Sequence, residues 1–297
     1  LFSRSVKELN DNRPLVLVTG ANGQLGKELQ LLETKWSAYK FLFLSREDLP
    51  IHHFELVRNF FKGCNPSVLI NCAAYTAVDK AEQEPDLAYQ INAEAVGVLA
   101  AVCAANHCRF IHVSTDYVFD GNAKLPYKED DPTAPQSVYG RTKLEGERQA
   151  LLANPNTIII RTSWVYSSFG KNFVKTIIRL LQDKPLISVV QDQLGSPTYA
   201  ADLADAILQI SSSNNWISGI YNYSNSGVIS WFQFANEIGK LARISTPIKG
   251  ITTAEYPTPA KRPAWSVLDT SKIVTTYGVT IRDWKDSLGQ CMHELGY

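Results

Sequence analysis

A buried strand, a glycine-rich turn and a helix follow one another between residues 15 and 32, and this succession most constrains the fold. Leu15-Val16-Leu17-Val18 is a continuous apolar run, typical of a strand buried on both faces of a parallel sheet. The turn Thr19 to Gly26 carries glycines at positions 20, 23 and 26 and leads into a helical segment. Such glycines allow a tight turn and close backbone approach to a pyrophosphate, and the helix N-terminus adds partial positive charge. The succession therefore predicts a dinucleotide site.

Strands and helices alternate after this turn, which predicts a doubly wound, Rossmann-like parallel sheet with a smaller C-terminal α/β substrate domain. Further strands are predicted at 41–44, 67–74, 109–113, 157–161 and 219–223. The character of the sequence changes after Trp164, and the sheet is revisited later. We therefore predict a nucleotide-binding domain formed by residues 13–165 and 198–224. Residues 166–197 and 225–297 form the predicted substrate domain.

Ser45-Arg46 follows the second predicted strand, at the position where an acid that selects the ribose hydroxyls normally stands. An arginine there is placed to meet a 2′-phosphate. This favours NADPH as the cofactor, bound in part by Ser45 and Arg46. Because Glu47 and Asp48 follow at once, NADH stays open.

Tyr139 and Lys143 stand four residues apart at the start of a helical run. At that spacing the two side chains lie on one helix face. An ammonium beside a phenol lowers the pKa of the phenol, which could then exchange a proton with a substrate oxygen. We therefore expect Tyr139 and Lys143 to be catalytic. Thr115 and Asp116, which follow another predicted strand, are placed where open α/β folds bind ligands.

Composition excludes several classes of function. Lys and Arg total 29, as do Asp and Glu, so the formal net charge is zero. Electrostatic binding to nucleic acid or to an anionic membrane is therefore not expected. No apolar run is expected to reach the roughly 20 residues of a membrane span. Residues 1–12 are polar and lack the apolar core of a signal peptide.

The five cysteines form no Cys-x-x-Cys pair, and the five histidines form no metal-binding spacing. We predict reduced thiols, no metal site and a cytoplasmic location.

The motifs together resemble the extended branch of the short-chain dehydrogenase/reductase family. The resemblance covers the chain from about Leu15 onward, and Ser45 departs from it because many relatives carry an acid there. The shared stretches are Gly20 to Gly26, Asn71 to Asp79, Ser114 to Phe119, Val138 to Leu144, Arg161 to Val165, Asn172-Phe173, Asp192 to Thr198, Tyr256 to Pro259 and Arg262-Pro263.

The resemblance implies an NADPH-dependent reductase of a nucleotide sugar, which converts the 4-keto group of dTDP-4-dehydro-L-rhamnose to the hydroxyl of dTDP-L-rhamnose. By analogy Tyr139 donates the proton, Lys143 holds the nicotinamide ribose and keeps the pKa of the tyrosine low, and Thr115 binds the substrate oxygen. Further cofactor contacts are implied for Gly20, Asn22, Gly23, Gln24, Leu25, Gly26, Ala74, Tyr75 and Thr76. Further substrate contacts are implied for Asp116, Trp164, Asn172 and Arg262, the last as a bidentate partner of the diphosphate.

Two other interpretations stay open at this point. One is another nucleotide-sugar enzyme of the same family, an epimerase or a dehydratase; Tyr117 stands where the dehydratases typically carry a glutamate. The other is a non-catalytic regulatory subunit that resembles the one of methionine adenosyltransferase, which can keep the same Tyr and Lys spacing. A homodimer is also open, since some relatives are described as metal-linked dimers through acidic C-terminal residues. This tail offers Asp283, Asp286 and Glu294 but no compact cluster.

Overall fold

A six-stranded sheet in which all neighbouring strands are parallel forms the centre of the computed structural model, which describes residues 12–297. Apolar runs without alternation form these strands, because both faces of the sheet are covered. In the order in which they lie side by side, the strands are β2 (Lys40–Leu44), β1 (Leu15–Thr19), β3 (Val68–Asn71), β4 (Arg109–Thr115), β5 (Ile158–Thr162) and β10 (Gly219–Tyr223). The predicted doubly wound parallel sheet is thus confirmed. The N-terminal segment, residues 1–11, lies outside the described residues.

Helices cover both faces of this sheet, and the alternation along β1 shows how. Val16 and Val18 point into one core, whereas Leu17 points into the other. The first face is covered by α1 (Gln24–Leu31), α8 (Ala200–Ser212) and α10 (Ser271–Tyr277). The second face is covered by α2 (Phe54–Lys62), α5 (Ala95–Ala105) and α6 (Val138–Ala153).

A continuous helical stretch of 21 residues, Pro85–Ala105, is unusually apolar. It consists of α4 (Pro85–Tyr89), a π-helical turn (Gln90–Glu94) and α5. With 21 residues and a mean hydropathy of 1.4 in its most apolar window, it is long and apolar enough to cross a membrane. The expectation that no apolar run reaches the length of a membrane span is therefore wrong. Half of its most apolar window is buried inside the fold, where Val96 and Leu99 pack under the sheet. It therefore packs as a core helix.

Several segments of the chain after Trp164 build a second core around Tyr166, Ile178, Phe234 and Leu288. Its helices are α7 (Phe173–Asp183), α9 (Trp231–Leu241) and α11 (Trp284–Glu294). Short paired strands complete it: β6 (Val165–Tyr166) with β9 (Thr198–Tyr199), β7 (Ile187–Val190) with β12 (Ile248–Ile251), and β8 (Leu194–Gly195) with β11 (Ile229–Ser230). The single-turn helix α3 (Val78–Ala81) and 3₁₀ turns at Asp116–Val118 and Thr253–Glu255 lie in connecting segments. The predicted domain boundaries stay a prediction.

The strand order reverses between β1 and β3, and the ligand site of such a sheet lies at this point. Thr19, the last residue of β1, is level with Leu44 of β2 and with Asn71 of β3. The next strands end level with each other, Thr115 of β4 beside Thr162 of β5. The carboxyl ends of these five strands thus lie on one side of the sheet.

Candidate active site

A cleft of about 900 Å³ runs along the carboxyl ends of the strands. This size is at the upper end for a small-molecule site. It brings together sixteen of the predicted residues: Gly20, Asn22, Gly23, Gln24, Leu25, Gly26, Ser45, Arg46, Ala74, Tyr75, Thr76, Thr115, Asp116, Tyr139, Lys143 and Trp164. Two predicted residues, Asn172 and Arg262, are not among the side chains that line it. A shallower depression of about 530 Å³ between α2 and α5 contains none of the predicted residues.

The glycine-rich turn lets β1 and β3 approach each other below the cleft. Gly20 has a φ of +72°, and a Cβ at this position would lie 2.7 Å from the backbone nitrogen of Ala73 and from the carbonyl carbon of Cys72. Only glycine fits both the conformation and the space. α1 then begins at Gln24, after Gly23, which offers no side chain as a cap. The first N–H groups of α1 have no partner within the helix and can meet an anion.

The two acids that follow Ser45 at the end of β2, Glu47 and Asp48, are placed differently. The backbone N–H of Ser45 donates to Oδ2 of Asp48 at 2.9 Å, and the N–H of Asp48 donates to the Ser45 hydroxyl at 3.3 Å. The carboxylate of Asp48 is thus folded back onto the strand end. Arg46, Glu47 and His52 line the cleft beside it. A guanidinium in this place suits a phosphate.

Tyr139 and Lys143 lie one turn apart near the start of α6, whose first turn is capped by the Ser137 hydroxyl accepting from the N–H of Gly140 at 3.1 Å. Tyr139 is half-buried at the cleft, and Lys143 is only 2% exposed. Nζ of Lys143 donates to the carbonyl oxygen of Val113 at 2.7 Å.

The expected acidification of Tyr139 by Lys143 is wrong for this structure. Burial raises the pKa of Tyr139 to about 12, and the opposing contribution comes from the Thr115 hydroxyl. Burial also lowers the pKa of Lys143 to about 8. The amine nitrogen of Lys143 is directed at the backbone of β4 and at His112, whose Nε2 lies 3.2 Å from Nζ.

Thr115 and Asp116 stand together at the end of β4. The Thr115 hydroxyl donates to Oδ1 of Asp116 at 2.9 Å and accepts from the N–H of Tyr117 at 3.2 Å. Oδ2 of Asp116 is buried and has no hydrogen-bond partner among residues 12–297. Burial raises the pKa of this carboxyl to about 7, although the hydrogen bond from Thr115 opposes the shift. A buried carboxyl with one free oxygen is ready to accept a hydroxyl from a bound molecule.

Trp164 closes the opposite side of the cleft. Its indole stacks on Trp231 with ring centroids 3.5 Å apart and planes 10° apart. Its backbone is left-handed, with a φ of +49°, which is strained for a bulky residue. A Cβ at Gly195 would lie 2.6 Å from the indole ring, so glycine is required beneath it. Such strain concentrates at ligand sites, where the surrounding packing holds it.

Asn172 and Arg262 are both engaged elsewhere. The amide of Asn172 donates to Oε1 of Gln24 at 2.9 Å and to the carbonyl of Ser167 at 2.6 Å, while its oxygen caps α7 by accepting from the N–H of Lys175. It therefore holds the loop before α7 against the glycine-rich turn. Nη2 of Arg262 pairs with Oδ2 of Asp79 at 2.7 Å, and Nη1 is buried without a partner in the described range.

The sequence did not identify several cleft residues. Cys72 and Ala73 directly precede the predicted Ala74, so the strand end could have included them. Gly170 and Lys171 directly precede Asn172 and line the cleft close to the glycine-rich turn. Tyr117 was noted in the sequence only as the residue that replaces the glutamate of the dehydratases, and its ring meets Tyr139 edge-on with ring centroids 5.5 Å apart. All five cysteines are free, and no group of three or more metal-ligating side chains occurs in the part of the chain that the structure describes.

Comparison with known proteins gives concordant matches. The sequence model of the RmlD substrate binding domain matches residues 14–296. The dTDP-4-dehydrorhamnose reductase of Aggregatibacter actinomycetemcomitans is 41% identical over 283 residues, which cover 92% of this chain and 96% of the relative.

Two crystal structures of such reductases superpose closely. The structure from Clostridium acetobutylicum has a TM-score of 0.92 and 43% identity, with 95% of this chain and 100% of that chain covered. The structure from Bacillus anthracis, in complex with NADP, has a TM-score of 0.91 and 37% identity, with 95% and 99% covered.

Proposed function

Because this chain belongs to the RmlD substrate binding domain family, we propose that it is an NADPH-dependent reductase. It reduces the 4-keto group of dTDP-4-dehydro-L-rhamnose to give dTDP-L-rhamnose. The single observation that carries this proposal is the cleft in which the glycine-rich turn, Tyr139, Lys143 and Thr115 meet. The relatives named for this reaction, at about 40% identity over nearly the whole chain, support the same substrate.

The cleft fits an NADPH molecule in its donors and its space. The unpaired N–H groups at the start of α1 suit a pyrophosphate, and Gly20 keeps that end of the cleft free of side chains. Arg46 suits the 2′-phosphate, with Ser45 beside it, and Ala74, Tyr75 and Thr76 line the path toward Tyr139. When bound, the nicotinamide supplies the hydride that reduces the ketone.

The side chains around the ketone stabilise the charge that develops on its oxygen and supply the proton. Negative charge develops on the substrate oxygen during reduction, and the Tyr139 hydroxyl can donate to it. The Thr115 hydroxyl can donate to the same oxygen once it turns away from Oδ1 of Asp116. Tyr139 gives up its proton to this oxygen as the general acid. A pKa of about 12 keeps the phenol protonated before the reaction. Lys143, one turn away, holds the nicotinamide ribose.

Further groups in and beside the cleft are the proposed partners of the sugar and the diphosphate. The free Oδ2 of Asp116 accepts a sugar hydroxyl, and the Trp164 indole packs on the sugar face. Arg262 does not line the cleft, but its unpartnered Nη1 makes it the proposed partner of the diphosphate, while Asp79 orients the guanidinium through Nη2. Asn172 acts indirectly, by tying Gln24 to the loop before α7. We also propose a cytoplasmic location, which the free cysteines support. A homodimer is a further proposal, and light scattering, which measures the molar mass in solution, tests it.

The decisive experiment is NADPH oxidation with the keto sugar, for the unaltered protein and for Tyr139→Phe. Loss of the acid should lower turnover by roughly 10²–10⁴-fold. Tyr89→Phe, which removes a phenol from an exposed helix surface outside the cleft, should leave the rate unchanged.

Each competing function has its own signature in the same assay. A cofactor that stays bound through purification, with no net NADPH consumption, indicates an epimerase or dehydratase. Absence of turnover together with a co-purifying partner protein indicates a regulatory subunit. Near-normal turnover of folded Tyr139→Phe contradicts the role of the phenol.

A further inference from the structure

A buried chain of hydrogen bonds leads from the end of β1 to Lys143, and none of the roles above uses it. It passes through Thr19 of β1, Asn71 of β3, His112 of β4 and Lys143 of α6, with exposed fractions of 1%, 1%, 0% and 2%. Because these side chains are shut off from water, each donor must meet an acceptor within the chain.

The orientation of the Asn71 amide is fixed by two donors. Its Oδ1 accepts from the Thr19 hydroxyl at 2.6 Å and from the backbone N–H of Ala73 at 3.2 Å. The hydroxyl could turn, but a backbone N–H can only donate. The Asn71 NH₂ group therefore faces Nδ1 of His112, at 3.0 Å. Nδ1 must accept this bond, so a neutral His112 carries its proton on Nε2.

The proton on Nε2 then points at Lys143. Nε2 and Nζ are 3.2 Å apart, and Nζ also donates to the carbonyl of Val113 at 2.7 Å. An ammonium has no lone pair to accept from Nε2–H, whereas a neutral amine accepts this bond and still donates to Val113. Moving the histidine proton to Nδ1 makes two donors meet at Asn71, and turning the amide makes two donors meet at Ala73. Only a neutral amine at Lys143 gives each side chain in this series a hydrogen-bond partner with the complementary role.

The other groups that face Lys143 do little to oppose this. Cys72, after β3, is uncharged because burial raises the pKa of its thiol to about 12. Tyr139 is likewise a neutral phenol. Glu147, one turn further along α6, is the anion that favours the ammonium, but its carboxylate is bound by Arg161. Burial lowers the pKa of His112 well below its ordinary value, so the imidazole takes no second proton.

We propose that His112 is a positioning residue that stabilises the neutral amine form of Lys143 and thereby makes the lysine exchange its proton near neutral pH. In this arrangement the histidine acts only through the lysine and touches neither cofactor nor substrate. Its kinetic consequence rests on the proposed function, in which the ammonium of Lys143, with its three donors, holds the nicotinamide ribose.

The first test needs no variant and no activity. Nitrogen-15 NMR of the five histidines in the intact protein should show His112 neutral, with Nδ1 unprotonated and Nε2 protonated. A proton on Nδ1 would overturn the proposal, whatever the protein reduces.

The second test compares His112→Phe with His293→Phe, which makes the same change at an exposed position near the end of α11. His112→Phe removes the opposing donor, so the pKa of Lys143, followed by NMR of ¹³C-labelled lysine, should rise by roughly one unit. A raised lysine pKa keeps the ammonium present to higher pH, and the alkaline limb of kcat/KM should move upward by the same amount. A purely structural role would lower kcat without moving that limb, and an unmoved lysine titration refutes the proposal.

Discussion

Replacement of Glu147 by glutamine tests an ion pair that is almost completely buried. Glu147 of α6 and Arg161 of β5 are each about 2% exposed as side chains. Nη2 of Arg161 donates to Oε2 at 2.7 Å, and Nε donates to Oε1 at 3.0 Å. The Ser114 hydroxyl adds a third bond to Oε1 at 2.5 Å. This carboxylate joins α6, which carries Tyr139 and Lys143, to the strands beneath it.

Glu147→Gln leaves the guanidinium buried without a counter-charge. Breaking such a pair from one side costs about 3–5 kcal/mol, and the remaining amide oxygen favours the lower end of that range. At roughly 2–4 °C per kcal/mol, Tm should fall on the order of 10 °C. Removing both charges, with Glu147→Leu and Arg161→Met together, should recover much of the loss, because no unpaired charge is then buried.

The assay is urea unfolding followed by tryptophan fluorescence, with Glu145→Gln as the matched control. Glu145 is on the same helix but pairs with Arg148 at 3.7 Å on the surface, with side-chain exposures of 33% and 66%. An exposed pair of this kind contributes less than about 1 kcal/mol. If Glu147→Gln loses no more stability than the control, the buried pair does not hold α6 to the sheet and the argument fails. The variant should also lower the pKa of Lys143, since Glu147 raises it.

Two further predictions concern the cofactor turn and the pH dependence of stability. Gly20→Ala should weaken NADPH binding roughly tenfold or more, because the added methyl meets the β3 backbone in a left-handed conformation; fluorescence titration measures this. Gly63→Ala, whose methyl would lie 3.9 Å from the carbonyl of Phe60, should bind normally, and equal affinities would contradict the reasoning. Burial raises the pKa of Glu28 to about 7 against the hydrogen bond from Ser167, so stability from this group is full below about pH 4.5 and is lost as pH rises through about 7. In urea unfolding between about pH 4.5 and pH 8, Glu28→Gln should abolish this decline in the free energy of unfolding, which is on the order of 3 kcal/mol. An unchanged dependence of the free energy of unfolding on pH would show that Glu28 does not titrate in this way.

The sequence predicted most of the architecture because the relevant signals are local. The unbroken apolar runs at β1, β3 and β5 require strands covered on both faces, and the helices between them require parallel connections. Gly20 and Gly26 likewise report a backbone approach that no other residue permits. The same local patterns brought the cofactor turn, Thr115 and Tyr139 to one edge of one sheet.

The sequence could not predict how the site is charged or held, because these properties depend on partners far apart in the chain. Arg262 is tied to Asp79, 183 residues away, and Lys143 to His112, 31 residues away. Helical spacing correctly placed Lys143 one turn from Tyr139, yet it said nothing about the β4 carbonyl and imidazole that the amine meets instead.

The order of strands and helices, the glycine turn and the residues at the strand ends were thus determined by the sequence alone, since each depends on a few neighbouring side chains. The pKa values, the direction of the Lys143 amine and the engagement of Asn172 and Arg262 were decided only by the tertiary structure. Burial removes water, and a buried polar group takes its properties from whichever group the fold brings next to it.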